Sequence, residues 1–147
     1  MSFEVPASIF AALRKANLPP RALAGRFEAS LELTPMEASG RRLIRFGQVH
    51  LSGSMCIDSE TQEVVDLEGA NVWHTNASIE HFIRCIDVVV ARLPFYSRDA
   101  VSEEREAVAA LLEESLIRVD PTCMTTNSFW KTFRWDVAAG DYPGNDP

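Results

Sequence analysis

Val72-Trp73-His74-Thr75-Asn76-Ala77-Ser78-Ile79-Glu80-His81-Phe82-Ile83-Arg84-Cys85-Ile86 is the stretch in which the chain changes its hydrophobic period. Val72 to Thr75 suits one short strand. From there the apolar positions Ile79, Phe82, Ile83, Ile86, Val89, Val90 and Leu93 recur at helical spacing, with Glu80, Arg84 and Asp87 on the other side. Asn76 or Ser78 can accept hydrogen bonds from the free N–H groups at the helix start. Pro94 ends the helix, because proline has no N–H to donate and clashes with the preceding turn.

Toward the amino terminus the period is two. Glu63 to Leu67 and Met55 to Ile57 flank Asp58-Ser59-Glu60-Thr61-Gln62, which reads as a hairpin turn. Val49 and Leu51 alternate, Leu43 to Phe46 is β-prone, and Phe27, Ala29, Leu31 and Leu33 mark a half-buried strand from Arg26 to Leu33. Links this short pair strands antiparallel, since a parallel crossover needs a dozen or more residues. A short helix from Ser8 to Ala16, with Ile9, Phe10 and Leu13 on one face, precedes them and is stopped by Pro19 and Pro20.

Toward the carboxy terminus the chain is helical. A helix from Asp99 or Ser102 to Val119 is expected to bury Val101, Val108, Leu111, Leu112 and Val119. It carries Glu103, Glu104 and Glu106 in its first turns, where the helix dipole favours negative charge. Asp120-Pro121 stops it. A last short helix follows with Phe129, Trp130 and Phe133, and Gly140 suits its end. These aromatic residues, with Trp135, are expected to dock the helix on the core rather than to form an exposed hot spot. The pattern predicts an α+β fold: a mostly antiparallel sheet of four to six strands within residues 26–75, with helices from residue 78 onward packed on one face. One domain is expected over residues 1–140, with a frayed tail at 141–147.

A chain of 147 residues is the size of one domain, and 46% hydrophobic with 24% charged residues is an ordinary balance for a folded one. Fourteen Lys and Arg against 21 Asp and Glu leave a net charge of −7, which repels phosphate backbones and anionic lipid. Direct nucleic-acid or membrane binding is therefore disfavoured and a basic partner favoured, although such acidity also simply aids solubility. Met1 to Ala12 carries Glu4 and Pro6 and does not read as a signal peptide, and the longest apolar run, Val88 to Ala91, is far too short to span a bilayer. Cys56, Cys85 and Cys123 are odd in number and scattered, so no disulfide framework is expected. The expected location is cytoplasmic.

No Gly-rich phosphate loop, GxSxG elbow or HExxH motif occurs. Gly53 suits a strand bend or tight turn rather than a ligand. His81 and Cys85 lie four apart on the predicted helix, and His74 with Cys56 would complete four zinc ligands on paper. The paired spacing of structural zinc sites is missing, however, and a buried thiol beside a surface histidine is the simpler reading. Cys85 would also sit mid-helix, away from the N-terminus that would activate it as a nucleophile. No catalytic residue, metal or cofactor is expected. Asp58, Glu60, Glu63, Asp66 and Glu68 cluster around the hairpin, and Glu103 and Glu104 are candidates to join them. Together they are the candidate partner-binding residues, with a solvated turn as the plainer alternative.

Several stretches resemble a known family in order and spacing. Leu43-Ile44-Arg45-Phe46-Gly47 leads to Met55-Cys56-Ile57-Asp58 and Thr61-Gln62-Glu63-Val64-Val65-Asp66-Leu67. Asn76-Ala77-Ser78-Ile79-Glu80-His81-Phe82 then opens a helix, and Val119-Asp120-Pro121 and Asn127-Ser128-Phe129-Trp130 close the series. This series resembles the SUKH superfamily of bacterial immunity proteins, especially its fourth family. The resemblance covers approximately residues 43 to 135, and the region before residue 43 matches poorly. Two departures stand out: Gln48 to Ser54 replaces a Gly-rich loop, keeping only Gly53, and Gln62 stands where the turn usually has Gly. With Gln there, the turn need not keep a positive φ. The resemblance implies a cytoplasmic, non-catalytic protein that neutralises a cognate toxin, often one acting on nucleic acid, by direct binding. A regulatory or scaffolding adaptor of the same fold is the alternative, and a small enzyme using His81 and Cys85 or the acidic hairpin a third reading.

Overall fold

The computed structural model describes residues 3–16, 23, 26–49 and 52–142. Pro19, Pro20, Leu51 and residues 143–147 of the expected tail lie outside them. Helix α1 (Ala7–Ala16) opens the fold and buries Ile9 and Leu13, while Phe10 remains exposed. Five strands follow as a meander: β1 (Phe27–Ala38), β2 (Arg41–Val49), β3 (Gly53–Asp58), β4 (Val64–Glu68) and β5 (Asn71–Asn76). They form one sheet in sequence order, and every neighbouring pair is antiparallel. Helices α2 (Ile79–Arg92), α3 (Ser102–Val119) and α4 (Phe129–Ala139) complete the chain. This is the expected α+β arrangement.

β1 continues beyond Leu33 to Ala38, through Pro35, which sits opposite Ile44. An edge strand can hold a proline because half of its backbone groups need no ladder partner, and β1 is the edge of this sheet. Gly47 is required by packing. A Cβ placed there would lie 2.2 Å from the Phe27 ring and 2.9 Å from the carbonyl oxygen of Glu28, so only glycine lets Phe27 lie flat on β2.

The main core lies between the sheet and the helices. Ile44, Phe46, Met55, Ile57 and Val64 from the strands meet Ile79, Phe82, Ile86 and Val89 from α2, Leu112 and Leu116 from α3, and Phe129, Trp130 and Phe133 from α4. Phe82 is its centre, with the rings of Phe27, Phe46, Trp130 and Phe129 at 5.1, 5.7, 5.9 and 6.4 Å. Leu43, Cys56, Val65 and Leu67 alternate with the core-facing strand residues and form a second, smaller cluster with Met36, Ala38 and Val72, to which no helix contributes. The helices therefore cover one face.

Two helices turn differently from the sequence expectation. On α2 the buried stripe is Ile79, Phe82, Cys85, Ile86 and Val89; Ile83 is only half-buried, and Val90 and Leu93 are exposed. On α3 the buried residues are Ala109, Leu112 and Leu116, while Val101 and Leu111 are 63% and 58% exposed. The apolar residues of α3 are spread around its circumference, so its inward face is selected by its neighbours α2 and α4. α4 ends as expected at Gly140, in the left-handed conformation at φ 95°. The chain stays packed through Tyr142, which stacks on Phe133 at 4.8 Å.

Candidate partner-binding surface

The hairpin between β3 and β4 is built by its own carboxylate. Asp58, only 4% exposed, accepts hydrogen bonds at Oδ1 from the N–H groups of Glu60 (2.8 Å) and Thr61 (3.0 Å), and at Oδ2 from Nε of Arg41 (2.8 Å). Burial works against its charge, but the N–H of Thr61, the Arg41 guanidinium and the N–H of Glu60 outweigh it and hold the carboxyl below its ordinary value. The backbone closes the turn from Asp58 N–H to the Glu63 carbonyl and from Gln62 N–H to the Asp58 carbonyl. These bonds set the turn's shape, so Gln62 takes φ 65° although it is not glycine. The turn thus keeps the positive φ that the Gly-to-Gln departure had left open. The left-handed conformation costs a non-glycine residue about 1–2 kcal/mol, which the Asp58 bonds offset.

From this turn a line of hydrogen bonds runs into the core. Glu63 binds Arg41 and Nδ1 of His74, and His74 Nε2 lies 2.7 Å from the Thr122 hydroxyl. Thr122 donates to Asp120 Oδ1 through its O–H (2.7 Å) and its N–H (2.9 Å). Asp120 Oδ2 accepts from the Asn76 side-chain amide (2.8 Å) and the Ala77 N–H (2.9 Å). The Asn76 side-chain oxygen accepts from the Trp130 indole N–H at 2.7 Å. Asn76 and Asp120 are buried, and each oxygen of their side chains has a partner. Burial opposes the charge of Asp120, but the Thr122 hydroxyl, the Ala77 N–H, the Asn76 amide and the Thr122 N–H overcome it and hold the carboxyl at about 2. The network ties the end of β5, the end of α3 and the first turn of α4 to one another. The cap of α2 is Ser78, whose hydroxyl accepts from the His81 N–H.

The other candidate carboxylates are placed unequally. Asp66, facing Met55 across the β3–β4 ladder, is 5% exposed, and its Oδ1 finds no partner among the described residues. Burial and then the neighbouring charge of Glu68 push its carboxyl up to about 7, against the pull of Arg26. Glu68 is half-buried, and its carboxylate lies over Gly53, the first residue of β3 after the turn at Ser52. Glu60 is exposed, as are Glu103 and Glu104 in the first turn of α3. The hairpin is linked to Thr122, just past the other end of α3, about 24 Å along the helix axis from Glu103. The seven carboxylates therefore do not form one patch: Asp58, Glu63 and Asp66 are engaged in or buried by the fold, and Glu60 and the Glu103–Glu104 pair stand at different ends.

The paper zinc set does not assemble. Cys56 belongs to the outer cluster and Cys85 to the main core, on opposite faces of the sheet, while His74 and His81 are engaged by Glu63 and Thr122 and by Ser78. Among the described residues no group of three or more His, Cys, Asp or Glu is arranged to hold a metal ion. All three thiols are buried; Cys123 is raised by its hydrogen bond with Cys85 and by burial, and Cys56 is pushed up to about 12 by burial and then by Asp66. A raised thiol is a poor nucleophile.

A meander sheet covered on one face by helices, with the Asp58, Glu63, Asn76, Asp120 and Trp130 motifs joined in one network, coincides with a family model: that of the SUKH-4 immunity proteins matches residues 4–136. The chain belongs to that family. No curated protein and no solved structure gives a match. The SUKH-4 match begins far ahead of residue 43, so α1 and β1 are part of the family domain. Membership supports an immunity function and implies a toxin partner. No described helix is long and apolar enough to cross a membrane.

The SUKH-4 motifs thus identify the fold more than the contact surface, because most of their polar residues are spent on internal bonds. Sequence reasoning missed Arg41, His74, Asn76, Asp120 and Thr122 as one network with Trp130, since its directly bonded partners lie up to 54 positions apart. Only Asp120 gave a local signal, a carboxylate at a helix end directly before proline. Trp135, expected to dock, is 59% exposed.

Proposed function

We propose that the chain neutralises a cognate toxin domain by direct protein–protein contact in the cytoplasm, without chemistry of its own. The observation that carries this reading is the SUKH-4 immunity family match over residues 4–136. The net charge of −7 adds the character of the partner: a basic domain, as one acting on nucleic acid would present. Of the candidate carboxylates Asp58, Glu60, Glu63, Asp66, Glu68, Glu103 and Glu104, those not taken up by Arg41 or by burial contribute to the negative field that steers such a domain. Glu60, Glu103 and Glu104, being exposed, are the ones free to touch it.

The test is coexpression in a bacterial host with the toxin domain encoded beside this chain's gene, followed by titration of the purified pair. Growth is restored, the two chains copurify, and protection is complete at about one chain per toxin, as for a stoichiometric inhibitor. Undiminished killing with no complex overturns the reading. Protection at far below equal amounts would mean catalytic inactivation and overturn its non-enzymatic part.

A further inference from the structure

The hydrogen bonds that run from Arg41 to Asp120 fix the protonation of His74. Asp120 is held ionised and accepts only, so the O–H of Thr122 is committed to its Oδ1 at 2.7 Å. The Thr122 oxygen also lies 2.7 Å from Nε2 of His74, and with its own proton in use it can only accept there. Nε2 therefore carries hydrogen. On the other side of the ring, Nδ1 faces Oε2 of Glu63, whose Oε1 is held by the Arg41 guanidinium. A carboxylate paired with arginine accepts and does not donate, so Nδ1 carries hydrogen too. A ring with hydrogen on both nitrogens is the charged imidazolium. His81 has no such need: Ser78 accepts its backbone N–H and can donate to its Nδ1, which a neutral ring satisfies.

The charges around the ring alternate in sign. Asp58 on β3 meets Arg41 on β2, Arg41 meets Glu63 just before β4, and Glu63 meets His74 on β5. Thr122 then relays the ring to Asp120 at the end of α3. The His74 side chain is 25% exposed, so it can exchange its proton with solvent while the domain stays folded. When one proton leaves, Nδ1 keeps its hydrogen because it faces a carboxylate, and Nε2 becomes an acceptor. It then opposes an oxygen whose proton is turned toward Asp120. Thr122 can restore the contact only by turning its O–H to the ring, which takes from Asp120 one of its four donors. Either way one bond between the hairpin and the helices is lost. The bonds of Asp120 with Asn76, and of Asn76 with Trp130, do not pass through the ring.

We propose that His74 is a pH-sensitive latch: its imidazolium ties the β3–β4 hairpin to the link between α3 and α4, and loss of the Nε2 proton as pH rises releases the hairpin while the core stays closed. The sign follows from which form makes both bonds. The charged ring supports the tie at low pH, and that support is lost as pH rises through the ring's titration in the folded protein. The latch is a property of the chain alone and does not depend on what the chain binds.

The experiment is a pH titration of the full, isotope-labelled chain by NMR, starting where the ring is charged. Long-range ring correlations show which nitrogens of His74 carry hydrogen, and amide exchange at Glu60 and Thr61 shows how firmly the hairpin is held. Both nitrogens carry hydrogen while the hairpin is protected. As the Nε2 proton is lost, exchange at these two amides rises about threefold or more beyond its intrinsic increase with pH. The Ala77 amide and the Trp130 indole stay protected. Thr122→Val gives up the ring proton at lower pH than the wild type, and His81, the internal control, does not move. Hairpin exchange that ignores the ring's titration overturns the proposal, as does a His74 that gives up hydrogen from Nδ1 first. A Thr122→Val titration identical to that of the wild type also overturns it, and if that variant does not fold, the wild-type titration decides alone.

Discussion

Replacing Asp120 by asparagine removes one charge and, whichever way the amide is turned, puts a donor where the fold supplies only donors. Oδ1 receives the O–H and N–H of Thr122; Oδ2 receives the Asn76 amide and the Ala77 N–H. The carboxyl is held at about 2 against an ordinary 3.8, a preference for the charged form of about 2.5 kcal/mol. An NH2 group facing two unmatched donors adds about 1–3 kcal/mol. Asp120→Asn is thus expected to lose about 3.5–5.5 kcal/mol at neutral pH, a large part of the 5–15 kcal/mol typical of a domain. Urea titration followed by tryptophan emission measures it, with Trp130 reporting directly because its indole N–H ends the same network. The loss must also depend on pH. A carboxyl whose value is depressed in the folded state contributes fully above its unfolded value and loses that contribution as pH falls through the folded one. The gap between the proteins therefore narrows between 3.8 and about 2. A gap below about 1 kcal/mol at neutral pH, or one that stays constant down to pH 2, would refute the network as the join between sheet and helices.

Two further substitutions probe the same architecture. Phe82→Ala, which empties the centre of four surrounding rings, is expected to cost about 3–5 kcal/mol by denaturant titration; a loss under about 1 kcal/mol would place the core elsewhere. Asp66→Asn has the opposite sign from Asp120→Asn. A carboxyl raised to about 7 binds its proton more tightly when folded, so it contributes stability below its unfolded value of 3.8 and loses it as pH rises through about 7. The variant should therefore be more stable than the wild type above neutrality, by up to about 4 kcal/mol, and not below pH 4. Melting curves across that range check it, and an unchanged difference would mean that Asp66 is ionised without penalty.

What could be read in the linear chain was whatever has a local cause. Period two before Asn76 and period 3.6 after Ser78 are properties of neighbouring residues, and so are the stops at Pro94, at Asp120-Pro121 and at Gly140. The meander, its antiparallel pairing and the helical cover follow from them, because short links leave few other arrangements. The ordered motifs from Leu43 to Trp130 carried the family resemblance for the same reason. The inward face of α3 was not legible, since Val101, Val108, Leu111, Leu112 and Val119 are equally apolar and only α2 and α4 choose among the positions.

The candidate site divides along the same line. The sequence alone determined that the chain is acidic and where its carboxylates lie, because charge is a property of each residue. Only the tertiary structure decided which of them are free. Asp58 is consumed by Arg41 17 positions away, Asp120 by Asn76 44 positions away, and Asp66 by burial beneath its own sheet. It also left Trp135 outside while its neighbours Trp130 and Phe133 went in, since one helix can turn only one face to the core. Burial and pairing are relations between residues distant in the chain, and no local pattern encodes them.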